Sequence, residues 1–174
     1  MQIRAFLQLD NFSRRIVLSS AENETLEHLA LKLAALALFI KWNPVLELSS
    51  KSAVAMNQEF KPDLAAMDAA GELSLWVECG NVSTNKIEKL ARRLSCRIVA
   101  LKESVREAEN LRRILDKNKV RNREKIEILA FPDAQFKLWM QALEESTEIF
   151  GEMSERSFNL VCNATTFNFE FARR

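Results

Sequence analysis

Two acidic residues bracket a segment patterned as a β-hairpin, and together they could hold a divalent cation. Asp63 lies near the start of the run 62–67, and Glu78 closes the run 72–78, Glu-Leu-Ser-Leu-Trp-Val-Glu. Between them stand Asp68-Ala69-Ala70-Gly71, with a glycine where a tight turn needs positive φ. A four-residue turn pairs Met67 with Glu72 and Asp63 with Trp76. Side chains two apart on a strand share a face, so Glu78, Trp76 and Asp63 are expected on one side of the sheet. Diagonal neighbours of this kind lie about 7–8 Å apart at the backbone. From there two carboxylates can converge on one Mg²⁺, whose oxygen ligands stand at about 2.1 Å. A slip of one residue would send them to opposite faces. The competing reading is a turn residue after Pro62 and a strand end in water. Two like charges so close repel each other, a cost that a bound cation offsets.

Other chemistries are poorly supplied. The three cysteines, Cys79, Cys96 and Cys162, are widely spaced and form no CxxC pair, which argues against a zinc site or a disulfide framework. His28 is the single histidine, and no serine sits in a GxSxG setting. Any catalytic centre must therefore be built mainly from carboxylates and lysines. The 174 residues, 48% hydrophobic and 28% charged, suit one globular domain spanning 1–174. The most apolar run, 29–40, is too short to cross a membrane and contains Lys32. The N-terminus lacks the plan of a signal peptide, so the expected location is cytoplasmic.

The net charge is +1 but unevenly spread: residues 81–125 hold 14 Lys and Arg against 6 Asp and Glu. Such a segment can meet phosphates, or it can be a pair of solvated helices laced with pairs such as Glu109 and Arg113.

The elements that must position these residues follow from periodicity and punctuation. Strands are expected over 2–10 and 13–18 around Asn11, then a long helix over 22–41 capped by Ser20 and stopped by Asn43-Pro44. Its apolar stripe runs Leu26, Leu29, Ala30, Leu33, Ala37, Ile40. A short strand over 45–48 precedes loop-like residues 49–59. After the hairpin come a helix over 84–95 with Ser83 or Thr84 as cap, a strand over 97–101, a helix over 104–118, a strand over 125–131 and a helix over 133–146 capped by Asp133. The tail alternates over 157–162 and 166–171, a terminal hairpin around Asn163-Ala164. The pattern predicts the α/β (α+β mixed) class: a central mixed sheet flanked by helices, with extra N-terminal and C-terminal hairpin strands.

Lys61-Pro62-Asp63, a hairpin, and then Trp76-Val77-Glu78-Cys79-Gly80 resemble the PD-(D/E)XK nuclease superfamily, which implies a restriction-endonuclease-like core. A closer resemblance is to the YaeQ family of bacterial proteins. It rests on Glu24-Thr25-Leu26-Glu27 opening a Leu-rich helix and on the segment from Asp68 to Gly80. Lys86-Ile87-Glu88-Lys89 in a following basic helix adds to it. The similarity is good over about 22–101 and holds only in outline at the tail.

The superfamily resemblance implies a Mg²⁺-dependent nuclease, with Mn²⁺ as an alternative ion, acting on DNA or RNA. Asp63 and Glu78 would hold the ion, with Glu24 reaching it from the first core helix. Glu27 and His28 would border the site. The lysine that the superfamily places two residues after the second acid is Gly80 here. In several branches it moves to the following helix, which makes Lys86 or Lys89 the candidate for catalysis. Arg92, Arg93, Arg106, Arg113 and Lys117 would hold a nucleic-acid backbone. Glu24 and Glu27 can equally be first-turn acids favoured by the helix dipole. Trp76 can stack on a base or pack in the core. Without a lysine the same fold implies a nucleic-acid-binding or regulatory protein that does not cut.

Overall fold

The computed structural model describes residues 2–46 and 59–174. The loop expected over 49–59 lies outside the described residues except for Glu59, as do the last two residues of the strand expected over 45–48.

A six-stranded mixed sheet carries the acids. Its middle is three parallel strands, β5 (Leu73–Cys79), β6 (Arg97–Lys102) and β7 (Ile126–Ala130). The antiparallel strands β4 (Leu64–Met67) and β3 (Val45–Leu46) extend one side, and β11 (Ala172–Arg173) pairs antiparallel with β7 on the other. Helix α2 (Thr84–Arg93) joins β5 to β6 and helix α3 (Val105–Lys117) joins β6 to β7. Ser83 and Ser104 cap these helices, each hydroxyl accepting from the N–H three residues on. Strands buried on both faces read as near-continuous apolar runs, and β6 (Arg-Ile-Val-Ala-Leu-Lys) does so.

The two faces of this sheet meet different partners. Trp76, Ile98, Ala100, Ile126 and Ile128 pack under Ile87 and Leu90 of α2 and Leu111 and Leu115 of α3. Leu75, Val77, Cys79, Val99 and Leu101 pack against helix α1 (Leu26–Leu38). On its far side α1 meets a second, five-stranded mixed sheet, through Ile3, Leu7, Leu9, Ile149, Phe158 and Leu160. Held between two sheets, α1 is buried without a break from Leu29 to Leu38, the burial expected of a helix that is apolar all round. None of the described helices is long and apolar enough to cross a membrane.

The second sheet runs β10-β9-β8-β1-β2. It contains the expected terminal hairpins, β1 (Gln2–Leu9) with β2 (Phe12–Ser19) and β9 (Ser157–Cys162) with β10 (Thr165–Glu170). The strand that joins them departs from expectation. The helix expected over 133–146 is the shorter α4 (Gln135–Ala142), and β8 (Ser146–Glu152) follows it. Thr147 ends the helix: its hydroxyl accepts from the Glu144 N–H at 3.0 Å and donates to the Glu144 carbonyl at 2.8 Å. Asp133 has a positive φ of 40°, and α4 has no side-chain cap. β8 pairs parallel with β1 and antiparallel with β9, which merges the two hairpins into one sheet.

Helix α1 also starts later than expected. Thr25, not Ser20, is its cap, its hydroxyl accepting from the His28 N–H at 3.3 Å. Glu24 lies outside the helix, in a turn closed by its own N–H on the Ala21 carbonyl at 3.0 Å.

Candidate functional site

The hairpin register differs from a simple four-residue turn by two compensating slips. Glu72 joins the turn, its N–H donating to the Asp68 carboxylate at 3.0 Å, so Met67 pairs with Leu73. A bulge between Ala66 and Met67 then pairs Ala66 with Leu75 and Leu64 with Val77. Each slip alone would flip the face; together they restore it for the paired residues, with Leu64 and Val77 both on the α1 side. Asp63 lies just outside the ladder, where its N–H donates to the Val77 carbonyl at 3.1 Å. Its carboxylate does not share the face of Glu78 and Trp76 as expected: it turns toward α1, whereas Glu78 faces α2.

Glu78 lies near the C-terminal end of a parallel strand, on the α2 side, and is 4% exposed. Its two oxygens have separate donors, Trp76 Nε1 at 2.7 Å and Lys86 Nζ at 2.7 Å. Lys86 also donates to the Lys61 carbonyl at 3.1 Å. It reaches Glu78 because Ser83 starts α2 soon after the strand, which places Lys86 in the first turn. Lys89, one turn on, goes instead to Glu59 at 2.7 Å, and Arg93 joins it there at 2.8 Å. Trp76 is fully buried and packs between α2 and the sheet rather than on the long helix, so it offers no face to a base.

Asp63 stands just before β4 and turns its carboxylate toward α1. Oδ2 accepts from the Cys79 N–H at 2.8 Å and Oδ1 from His28 Nε2 at 2.9 Å. His28 and Lys32 stand four apart on α1, so their side chains share a face, and Glu24, just before the Thr25 cap, meets both. Lys32 Nζ is 2.6 Å from Glu24 Oε1 and 4.0 Å from Asp63 Oδ1; His28 Nε2 is 3.5 Å from the same Glu24 oxygen. The spacing carries the signal for Lys32: a lone charge in an apolar run, four residues after His28.

These surroundings push the two acids apart. Burial is the largest influence on Glu78 and lifts its carboxyl above the usual glutamate range, with Asp63's charge adding to the lift and Lys86 and Trp76 opposing it. Burial is also the largest single influence on Asp63, in the same upward sense. There it is outweighed by the His28 hydrogen bond, the Cys79 N–H and the charges of His28 and Lys32, which together hold Asp63 below the usual range. The hydrogen bond to Asp63 is the main reason His28 is raised. Paired carboxylates with divergent pKa values are a recurrent basis for divided chemical roles.

A cleft of about 1130 Å³ opens here, at the C-terminal ends of β5 and β6, where open α/β sheets bind ligands. Glu24, Glu27, His28 and Asp63 line it, together with Lys32, Lys61, Gly80 and Lys102. Lys102 ends an otherwise apolar strand and is 5% exposed; its ammonium donates to the Gly80 carbonyl. Arg92 on α2 is exposed. Arg106, Arg113 and Lys117 are exposed on α3, whose first-turn Glu107 borders the cleft. At 1.5 Å per residue, Lys117 lies about 15 Å farther along the axis.

The donors suit a hard cation. Among the described residues no three His, Cys, Asp or Glu side chains are grouped to hold a metal ion. Mg²⁺, however, is usually held by one or two carboxylates, keeping waters and taking substrate phosphates as its other ligands. Asp63 and Glu78 are two carboxylates at the end of β5, of which Asp63 lines the cleft and Glu78 does not. Each of their oxygens receives one of the hydrogen bonds described above, which leaves a second lone-pair direction on each.

The family model described as YaeQ protein matches residues 13–171. A YaeQ protein from Xanthomonas axonopodis pv. citri has a similar structure, with a TM-score of 0.74 and 16% identity over 99% of this chain and 97% of that one. A YaeQ protein from Pseudomonas syringae is also similar, with a TM-score of 0.69 and 13% identity over 99% and 93%. No curated protein matches the sequence. At these identities the structural likeness speaks to the fold, while the family match covers nearly the whole sequence: the chain belongs to the YaeQ protein family.

Proposed function

We propose that this chain is a divalent-cation-dependent phosphodiesterase acting on nucleic acid, with the restriction-endonuclease-like core of the PD-(D/E)XK superfamily. The observation that carries the proposal is the trio at the end of β5: the Asp63 carboxylate on the N–H of Cys79, the neighbouring Glu78 carboxylate, and the Lys86 ammonium 2.7 Å from Glu78. Asp63 and Glu78 would hold Mg²⁺ or Mn²⁺. When bound, such an ion polarises a phosphoryl oxygen and lowers the pKa of a coordinated water.

The chain's own residues supply orientation and charge. Lys86 and Trp76 fix Glu78 from either side. His28 and the Cys79 N–H fix Asp63. Glu24 borders the same cleft as a third acid, tied to Lys32. Arg92, Arg106, Arg113 and Lys117 would meet the nucleic-acid backbone, whereas Lys89 and Arg93 are engaged with Glu59.

A second reading, nucleic-acid binding without cleavage, is favoured by one observation. Lys86 is held by Glu78 and the Lys61 carbonyl, and neither it nor Glu78 lines the cleft. Incubation of duplex and single-stranded DNA and RNA with Mg²⁺ or Mn²⁺ separates the two. The proposal predicts metal-dependent cleavage that Asp63→Ala and Glu78→Ala abolish. Binding without cleavage supports the second reading, and cleavage unchanged in both variants would sink the mechanism.

A further inference from the structure

Lys102 lines the cleft, as Lys32 and Lys61 do, and Lys86 does not. Lys86 comes from the α2 side and spends its hydrogen bonds on Glu78 Oε2 and the Lys61 carbonyl. Lys102 arrives from the neighbouring strand. The parallel register pairs Glu78 with Ala100 and Cys79 with Leu101, so Lys102 stands alongside Gly80, whose N–H donates to the Leu101 carbonyl at 2.9 Å. Residue 80 cannot easily supply a side chain of its own. Its φ of +70° disfavours any other residue. The Lys102 side chain crosses to this position and donates to the Gly80 carbonyl. An ammonium has three N–H groups, so two are left for another acceptor.

That ammonium is costly where it stands. Burial is the main influence on it and pushes it below the usual lysine range, while the charges of Glu107, Glu103 and Glu78 favour the protonated form. A desolvated cation against a neutral carbonyl is incompletely compensated, and an anionic oxygen in the cleft would complete it. Asp63 lines the same cleft, so an anion held there shares the cleft with one of the two carboxylates proposed to hold the metal.

We infer that Lys102 is the phosphate-contacting lysine of this cleft: it holds a non-bridging oxygen of a phosphodiester against the Gly80 edge, while Lys86 serves as the positioning residue for Glu78. The inference rests on the proposed function for the class of ligand but makes a separate claim about which cation touches it.

The test is fluorescence anisotropy of a mixed-sequence DNA duplex and a single-stranded RNA binding the full chain, with Ca²⁺ as a non-cleaving ion, across a range of salt concentrations. The variants are Lys102→Gln, which keeps a donor for the Gly80 carbonyl, and Lys102→Arg, which keeps the charge. Loss of one phosphate contact weakens binding irrespective of sequence and lowers the slope of log K against log salt by about one. The expected result is that loss in Lys102→Gln on at least one probe, with the slope restored in Lys102→Arg, at a melting temperature that accounts for neither change. An unchanged slope in Lys102→Gln overturns the inference. Wild type that binds neither probe overturns it together with the nucleic-acid reading. Cleavage with Mn²⁺ is scored in parallel. A Lys102-dependent slope without cleavage supports the inference and counts against the phosphodiesterase, whereas cleavage indifferent to Lys102→Gln, with an unchanged slope, overturns the inference alone.

Discussion

Glu78 is a buried acid with one cation beside it, and that pairing sets the behaviour of the strand end. Removing one partner of such a pair leaves an uncompensated charge in a place water does not reach. Lys86→Met is expected to cost about 3 kcal/mol of stability by urea unfolding at neutral pH. The deficit should shrink on acidification, because Glu78, already raised, becomes neutral and needs no partner. A loss below about 0.5 kcal/mol would mean that the pair behaves as a solvated surface bridge. His28 offers an independent reading of Asp63. It is the only histidine, so its ring resonances in an NMR titration are unambiguous. It should titrate above its ordinary 6.5, and Asp63→Asn should bring it back down by removing the charge and leaving only a neutral amide oxygen as acceptor. An unchanged value in that variant would place the two side chains apart in solution. At this scale the sequence was informative where a charge stood at an expected strand end, as with Asp63 and Glu78, and where a helix start put Lys86 within reach. It was less so for Lys32 and Lys102. Both sit in runs otherwise apolar, and their role depends on elements meeting from distant parts of the chain.

The elements were legible wherever one pattern ran without competition. The strand–helix alternation from β5 to β7, the terminal hairpins and the cap at Ser83 follow directly from periodicity and punctuation. β8 did not, because Leu143-Glu144-Glu145-Ser146 extends a helical pattern and only the Thr147 clamp on Glu144 stops it. The hairpin register was misread by two residues for a similar reason. The Asp68 carboxylate accepting from Ala70 and Glu72 enlarges the turn, and the bulge after Ala66 is invisible to a count of residues. β8 also approaches β9 closely at Gly151. Gly151 pairs with Leu160, and a Cβ there would fall 2.4 Å from the Asn159 carbonyl oxygen and 2.5 Å from Leu160 Cα. Those are backbone atoms that cannot swing aside. Gly151→Ala should therefore cost about 1–3 kcal/mol, measured by thermal or urea unfolding. A neutral outcome would show that β8 and β9 part more readily than their register implies.

Across the whole molecule, α1 between two sheets fixes the acids at one end, and a charged cluster ties the layers at the other. Glu155, between β8 and β9, accepts from Trp42 Nε1 at 2.8 Å and meets Lys41 at 2.5 Å and Arg97. Arg97 in turn meets Glu127 at 3.1 Å. Burial is the largest influence on Glu155 and acts upward, but these partners outweigh it and bring its pKa from 4.5 to about 2. A depressed carboxylate stabilises the fold above its unfolded value and loses that contribution as pH falls through the folded one. Thermal unfolding should therefore show wild type losing stability between pH 4.5 and about 2, with Glu155→Gln losing less over the same window. Equal losses would exclude Glu155 as a source of the acid sensitivity. The tie matters for function because it holds the end of α1 against the start of β6, and α1 and β6 each contribute to the cleft. The claim at the centre of this account is that Asp63 and Glu78 share one divalent ion. Titration of Mn²⁺ into the full chain, followed by electron paramagnetic resonance of the free ion, tests it most directly. One ion bound per chain, lost in both Asp63→Asn and Glu78→Gln while the fold persists, is the result predicted; binding undiminished in the two variants, or no binding by wild type, would contradict it.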